Sequence, residues 1–122
     1  MARLAVDNNV LARLLAGDKR IARALKGHSL IVSFITDIEL HAYPSLTKAD
    51  ERRIDLLLAD CDVSGLTEST RKGAISFRKD HRLALPDAVI AGTAHACKVP
   101  LITADKAFQK CRGAIEVRYI KS

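Results

Sequence analysis

Tryptophan is missing from this chain and other aromatics are scarce, with three Phe and two Tyr in 122 residues. The core must then be filled by Ala, Leu, Ile and Val, which favours an α-rich or α/β domain over a β-sandwich. Cysteine is limited to Cys61, Cys97 and Cys111. Their odd number and wide spacing exclude the paired zinc and thioredoxin-like motifs, so they read as buried or free thiols suited to a reducing compartment. No apolar run approaches the roughly 18 residues of a membrane span, and no charged-then-apolar leader with a cleavage site is seen. A soluble, cytoplasmic protein without membrane contact is expected. Repeats, low-complexity tracts and linkers are also lacking, and the length suits one compact domain over residues 1–122, since single cores commonly form at about 100–150 residues. His28, His41, His81 and His95 have no metalloprotease or zinc-finger spacing and are expected to be packing or surface residues. No nucleophile-elbow motif supports Ser-His-Asp chemistry.

What is present is an apolar fraction of 48%, enough for a core, and an excess of Lys and Arg over Asp and Glu, 20 to 14. A net charge of +6 favours a polyanionic partner through counterion release, although a solvated basic surface gives the same number.

Hydrophobic spacing divides the chain into alternating strands and helices. Leu4–Val6 is a short buried strand ending at Asp7; Val10, Leu11, Leu14 and Leu15 then recur at helical spacing up to Gly17. Asp18 is placed to cap a second short helix that Gly27 stops, and Ser29–Ser33 reads as another strand. Phe34–Tyr43 is helical and ends before Pro44. Thr47 caps a helix whose apolar face is Ile54, Leu57, Leu58 and Cys61, and Val63 marks a short edge strand. Thr67 opens a charged helix reaching about His81, with Ile75 and Phe77 expected inside; Pro86 suits the first turn of the next, whose buried face is Val89, Ile90, Ala94 and Cys97. Pro100–Thr103 is a strand, Ala104–Lys110 a short helix and Ile115–Ile120 a last strand. Such alternation predicts a mostly parallel sheet covered by helices on both faces.

Function in such sheets gathers outside the carboxyl ends of the strands. Asp7 and Asp105 each follow a strand there, Glu39 lies early in the helix entered from the second strand, and Asp87 lies in the first turn of the helix preceding the Thr103 strand. Each has an ordinary structural explanation. Asp105 can cap its helix, Asp87 can favour the positive end of a helix dipole, Asp7 can serve a turn, and Thr36 with Glu39 has the spacing of a capping box. Jointly they are harder to explain away, because converged carboxylates repel one another and resist ionisation unless a cation is present. Hard oxygen ligands suit Mg2+ or Mn2+, and Mg2+ commonly shares its remaining positions between water and phosphate.

Four fragments in order resemble the PIN-domain nucleases, most closely the short bacterial toxins of the VapC type. They are Leu-Ala-Val-Asp-Asn-Asn-Val-Leu at Leu4–Leu11, Ile-Thr-Asp-Ile-Glu-Leu at Ile35–Leu40, Leu-Pro-Asp-Ala-Val-Ile-Ala at Leu85–Ala91 and Leu-Ile-Thr-Ala-Asp-Lys-Ala-Phe at Leu101–Phe108. The resemblance implies a three-layer α/β/α domain and metal-dependent hydrolysis of RNA phosphodiester bonds. It places the family's four acids on Asp7, Glu39, Asp87 and Asp105, with Asp7 and Asp87 as direct metal ligands and the roles of the other two open between a second ion, a water and proton transfer. Thr103 matches a supporting hydroxyl, and Asn9 a residue that shapes the first loop. Asn8 departs from the usual Thr or Ser, though its amide oxygen can serve as an acceptor. A cognate antitoxin covering the acidic groove and a homodimer are also implied. The rival readings are a non-catalytic module with residual acids and a Mg2+-binding receiver domain. Against the latter, Asp7 has no adjacent acidic partner and the Val63 region offers no convincing acceptor strand.

Overall fold

The computed structural model describes residues 2–121. Its elements run β1 (Arg3–Val6), α1 (Asn8–Leu15), α2 (Lys19–Leu25), β2 (Ser29–Ser33), α3 (Phe34–His41), α4 (Lys48–Ala59), β3 (Asp62–Ser64), α5 (Glu68–His81), α6 (Leu85–Cys97), β4 (Leu101–Thr103), a 3-10 helix (Lys106–Cys111) and β5 (Val117–Tyr119). The strands form one sheet in the order β3-β2-β1-β4-β5, and every pairing is parallel. From the central β1 the chain winds outward through β2 to β3, then crosses to β4 and β5 on the other side. The reversal between β1 and β4 opens a crevice at their carboxyl ends.

Alternation along the strands builds the two cores. Leu4, Val6 and Ile102 point to one face, where Val10 and Leu11 of α1, Ile21 and Leu25 of α2 and Ile54 and Leu58 of α4 cover them. Ala5 and Leu101 point to the other, against Ala74 and Phe77 of α5, α6 and Phe108. Each fully buried aliphatic of this kind stabilises the fold by about 1.5–3 kcal/mol. The outcome is the expected α/β/α sandwich.

Helix starts follow local chemistry. Asp18 accepts the Arg20 and Ile21 amides at 2.9 and 3.3 Å, Thr47 and Asp50 close a reciprocal capping box, and Gly27 leaves α2 with φ +80°, a conformation costly for any side chain. Other boundaries differ from those read in the sequence. Ser33 caps α3 by accepting the Ile35 amide, so Thr36 lies inside the helix, fully buried, and makes no capping box with Glu39. Ile75, expected inside, is 44% exposed, because Thr70, Ala74 and Phe77 form the inner face of α5. The last strand is confined to Val117–Tyr119, and the helix placed at 104–110 is a 3-10 turn starting at Lys106.

Helix α6 is buried continuously over residues 88–94 rather than along one stripe. It sits between the sheet and α5, and the two helices touch at Gly73 and Gly92. A Cβ on Gly92 would lie 2.8 Å from the Thr70 carbonyl oxygen and 2.9 Å from the Ala74 nitrogen. Glycine is required there for backbone to approach backbone.

Candidate active site

Val6, the last residue of β1, delivers Asp7 to the crevice, where it caps α1 by accepting the Val10 amide at 2.9 Å. Asp7 is 2% exposed. Burial, followed in importance by the nearby Asp105 charge among the influences that raise it, pushes its pKa up against hydrogen bonds from Thr103 and the Val10 and Asn9 amides. Thr103, fully buried at the end of β4, donates its hydroxyl to Asp7 Oδ2 and accepts the Asp105 amide at 2.9 Å. One side chain thereby fixes both acids. Asp105 in turn accepts the Ala107 amide at 2.9 Å, starting the 3-10 turn.

Asp87 arrives from the first turn of α6, whose N-cap is Ala84 and makes no side-chain cap bond. Its pKa is raised to about 6, first by burial and then by the charges of Asp105, Asp7 and Glu39 in that order. The four sequence-predicted acids thus share one electrostatic neighbourhood. Asp7, Asp87 and Asp105 line a common cleft of about 160 Å3 together with Asn8, Asn9 and Ile90. Glu39 stands beside it, its Oε2 accepting a 2.7 Å hydrogen bond from Asn8 Nδ2.

Asn8 therefore works through its amide nitrogen, which positions Glu39, whereas its Oδ1 is buried without a donor. The acceptor role expected of its oxygen is not the one it plays here. The Asn9 side chain makes no hydrogen bond among the described residues; the loop is held instead by the Asn9 and Val10 amides on Asp7. His41, expected to be a packing or surface residue, has a structural role. It joins α3 to α4, with Nδ1 2.8 Å from Asp37 and Nε2 2.8 Å from Asp55, and only the Asp37–His41 spacing of four residues hints at this in the sequence.

All the side-chain donors are oxygen, one of them is an orphaned buried amide oxygen, and Asp7 and Asp87 resist ionisation. These features fit a hard divalent cation. Among the described residues no three His, Cys, Asp or Glu side chains enclose an ion by themselves. Such a site fits Mg2+, which keeps several waters and shares coordination with phosphate. No helix among the described residues is long and apolar enough to cross a membrane.

Solved structures of similar fold include a toxin-antitoxin complex from Klebsiella pneumoniae, 25% identical over 93% of this chain and 94% of that one, with a TM-score of 0.80. VapBC-1 from nontypeable Haemophilus influenzae is 23% identical over 96% and 97% of the two chains, with a TM-score of 0.78. VapBC2 from Rickettsia felis, bound to a promoter DNA fragment, is 14% identical over 97% and 98%, also at 0.78. Among curated protein sequences none matches the chain. The sequence pattern of the PIN domain matches residues 4–114, from the first strand past the loop that carries Asp105, and on that match the chain belongs to the PIN-domain family.

Proposed function

We propose that this chain, acting as a single nuclease domain, is a Mg2+- or Mn2+-dependent endoribonuclease and the toxin of a toxin-antitoxin pair. The observation that carries the proposal is the Asp7, Asp87 and Asp105 cleft with Glu39 at its margin, where burial and then the neighbouring charges raise Asp87 to about 6. That is the electrostatics of a site shaped for cations rather than of four independent helix caps.

Asp7 and Asp87 are the preferred direct ligands, with Asp105 and Glu39 completing the acidic wall. These carboxylates would hold a divalent ion, which would supply activation of water and neutralisation of phosphoryl charge. The residues of the chain supply position. The Thr103 hydroxyl and the Val10 amide lock the Asp7 carboxylate. Asn8 occupies Oε2 of Glu39, which leaves Oε1 to accept a proton from the attacking water. The water oxygen forms a bond to phosphorus as the bond from phosphorus to the departing ribose oxygen breaks, and that oxygen takes a proton from solvent and leaves as a hydroxyl. A net charge of +6 supports RNA as the substrate, with binding that weakens as salt rises.

The structural neighbours described as VapBC and toxin-antitoxin complexes support a cognate antitoxin. A homodimer is supported by exposed apolar side chains on α3, α5 and the start of α6: Ile38 at 58%, Ile75 at 44% and Leu85 at 58%, with Leu66 at 59% beside them. Free Cys61, Cys97 and Cys111 accord with a cytoplasmic setting. Purified protein incubated with total RNA and Mg2+ or Mn2+ is expected to give discrete cleavage ends that chelator and Asp7→Asn both abolish. Cleavage that persists in chelator refutes the metal mechanism, and a wild-type protein that cuts no RNA under any metal favours a non-catalytic interaction module.

A further inference from the structure

Beside the acid cleft lies a second hollow of about 340 Å3, lined by Asn9, Ala12, Arg13, Ala16 and Ala104. Asn9 belongs to both hollows, and Ala104 directly precedes Asp105. The two therefore form one continuous surface running from the carboxylates along the outer side of α1.

Among the described residues, Arg13 is the only ionised one lining this second hollow. Its guanidinium makes one ion pair, Nε to Asp18 Oδ2 at 3.8 Å, which is beyond hydrogen-bonding distance. Nη1 is closed off from solvent and has no acceptor. A planar group with five donors is thus anchored at one corner on a side chain that is 30% exposed, and its one buried nitrogen lacks the partner that buried donors normally find. Guanidinium forks match phosphate oxygens in pairs.

A strand whose scissile phosphate lies at the acids must lay its next phosphates on the surfaces flanking them. The carboxylates repel those phosphates, and the hollow around Arg13 offers a cation above small, uncharged side chains. We propose that Arg13 clamps the backbone phosphate of an RNA nucleotide adjacent to the scissile bond, a subsite that rests on the nuclease reading above. Asp18 weakens the clamp by sharing its charge.

The test compares wild type, Arg13→Gln, Arg13→Lys and Asp18→Asn on two substrates with Mn2+: an oligoribonucleotide and a dinucleoside monophosphate, which has only the scissile phosphate. Arg13→Gln should lower kcat/KM on the oligonucleotide about 10- to 100-fold, mainly through KM, and leave the dinucleotide unchanged; Arg13→Lys should recover part of the loss. Anisotropy of a labelled oligonucleotide in chelator should show the slope of log affinity against log salt falling by about 0.7–1 for Arg13→Gln. Asp18→Asn keeps the Oδ1 that caps α2 and removes only the charge, so it should tighten oligonucleotide binding.

Equal losses on both substrates, an unchanged salt slope, or an Asp18→Asn defect matching that of Arg13→Gln would each overturn the subsite and assign Arg13 a structural ion pair. An Arg13→Gln protein that binds RNA normally but loses affinity for a protein inhibitor also overturns it, giving the hollow to that partner. A wild type that cuts neither substrate refutes the nuclease reading instead, and the binding slopes then decide Arg13 independently.

Discussion

Replacing Asp87 by Asn separates the catalytic reading of this residue from a merely structural one, because the two predict opposite changes in stability. The Asp87 pKa rises from 3.8 in the unfolded chain to about 6 in the folded one. Between those values the native state holds more protons than the unfolded state, so stability falls as pH climbs through the window and the full penalty is present above about pH 6. At 1.36 kcal/mol per pKa unit the shift amounts to about 3 kcal/mol. Asp87 is partly exposed, and screening brings the figure to about 1–2 kcal/mol. Loss of a favourable charge at the start of α6 takes back about 0.3–1 kcal/mol. In chelator at pH 7.5, Asp87→Asn should therefore melt up to about 6 °C above the parent, given about 4 °C per kcal/mol for a chain of this length. The parent should gain on that difference as pH falls toward 4, where its own carboxyl is neutral. Added Mg2+ should raise the parent's Tm more than the variant's, and RNA cleavage by the variant should be lost. A variant that melts lower than the parent at pH 7.5, keeps the same pH slope and still cuts RNA would show that Asp87 serves only its helix.

Three further perturbations follow from other contacts. Thr103→Val removes the hydroxyl that bridges Asp7 and the Asp105 amide, and should cost about 1–3 kcal/mol in urea melts together with at least a tenfold loss of cleavage; full activity would refute the bridging role. Gly92→Ala forces a methyl group against α5 backbone, where no flexible side chain can yield, and should lower stability by about 1–3 kcal/mol, read as a lower urea midpoint; an unchanged midpoint would mean that the two helices separate freely. The His41 pKa is raised, first by its bond to the Asp37 carbonyl and then by Asp55, so its stabilisation is complete below pH 6.5 and is lost as pH rises through the folded pKa. For so exposed a group this is a few tenths of a kcal/mol, and melts between pH 6 and 8.5 should lose that part of their slope in His41→Asn.

The layout of the sheet was legible because β1, β2 and β4 are short apolar runs that end at polar residues, and each hands the chain to a helix. Three of the four acids were legible for a related reason: Asp7 and Asp105 follow strands and Asp87 opens a helix, at the edge where a parallel sheet collects function, whereas Glu39, expected early in α3, lies in its last turn. What escaped notice depends on contacts between distant segments. Ile75 looks like a core residue by composition, yet the inner face of α5 is fixed by the approach of Gly73 to Gly92, about which the periodicity of α5 carries no information. Thr36 and Glu39 have capping-box spacing, but Ser33 takes the cap one turn earlier. The use of Asn8 depended on which of its two amide atoms meets Glu39, 31 positions away, and no local pattern encodes that choice.

The strand order also sets when the acid cleft can come into being as the chain is made. The central strand β1 gains its second neighbour only when Leu101–Thr103 pair with it, and Thr103 and Asp105 arrive with that strand. A nascent chain stopped before residue 100 can pair β1 with β2 and β3 but lacks half of the crevice and the hydroxyl that orients Asp7. Contacts spanning nearly the whole sequence, such as Asp7 with Thr103, close late and at high entropic cost. Translation at about 5–20 residues per second therefore leaves an interval of several seconds in which most of the protein exists but its four carboxylates are not yet one site. Under the proposed nuclease function, synthesis itself would hold the activity back until the segment carrying Thr103 and Asp105 has emerged.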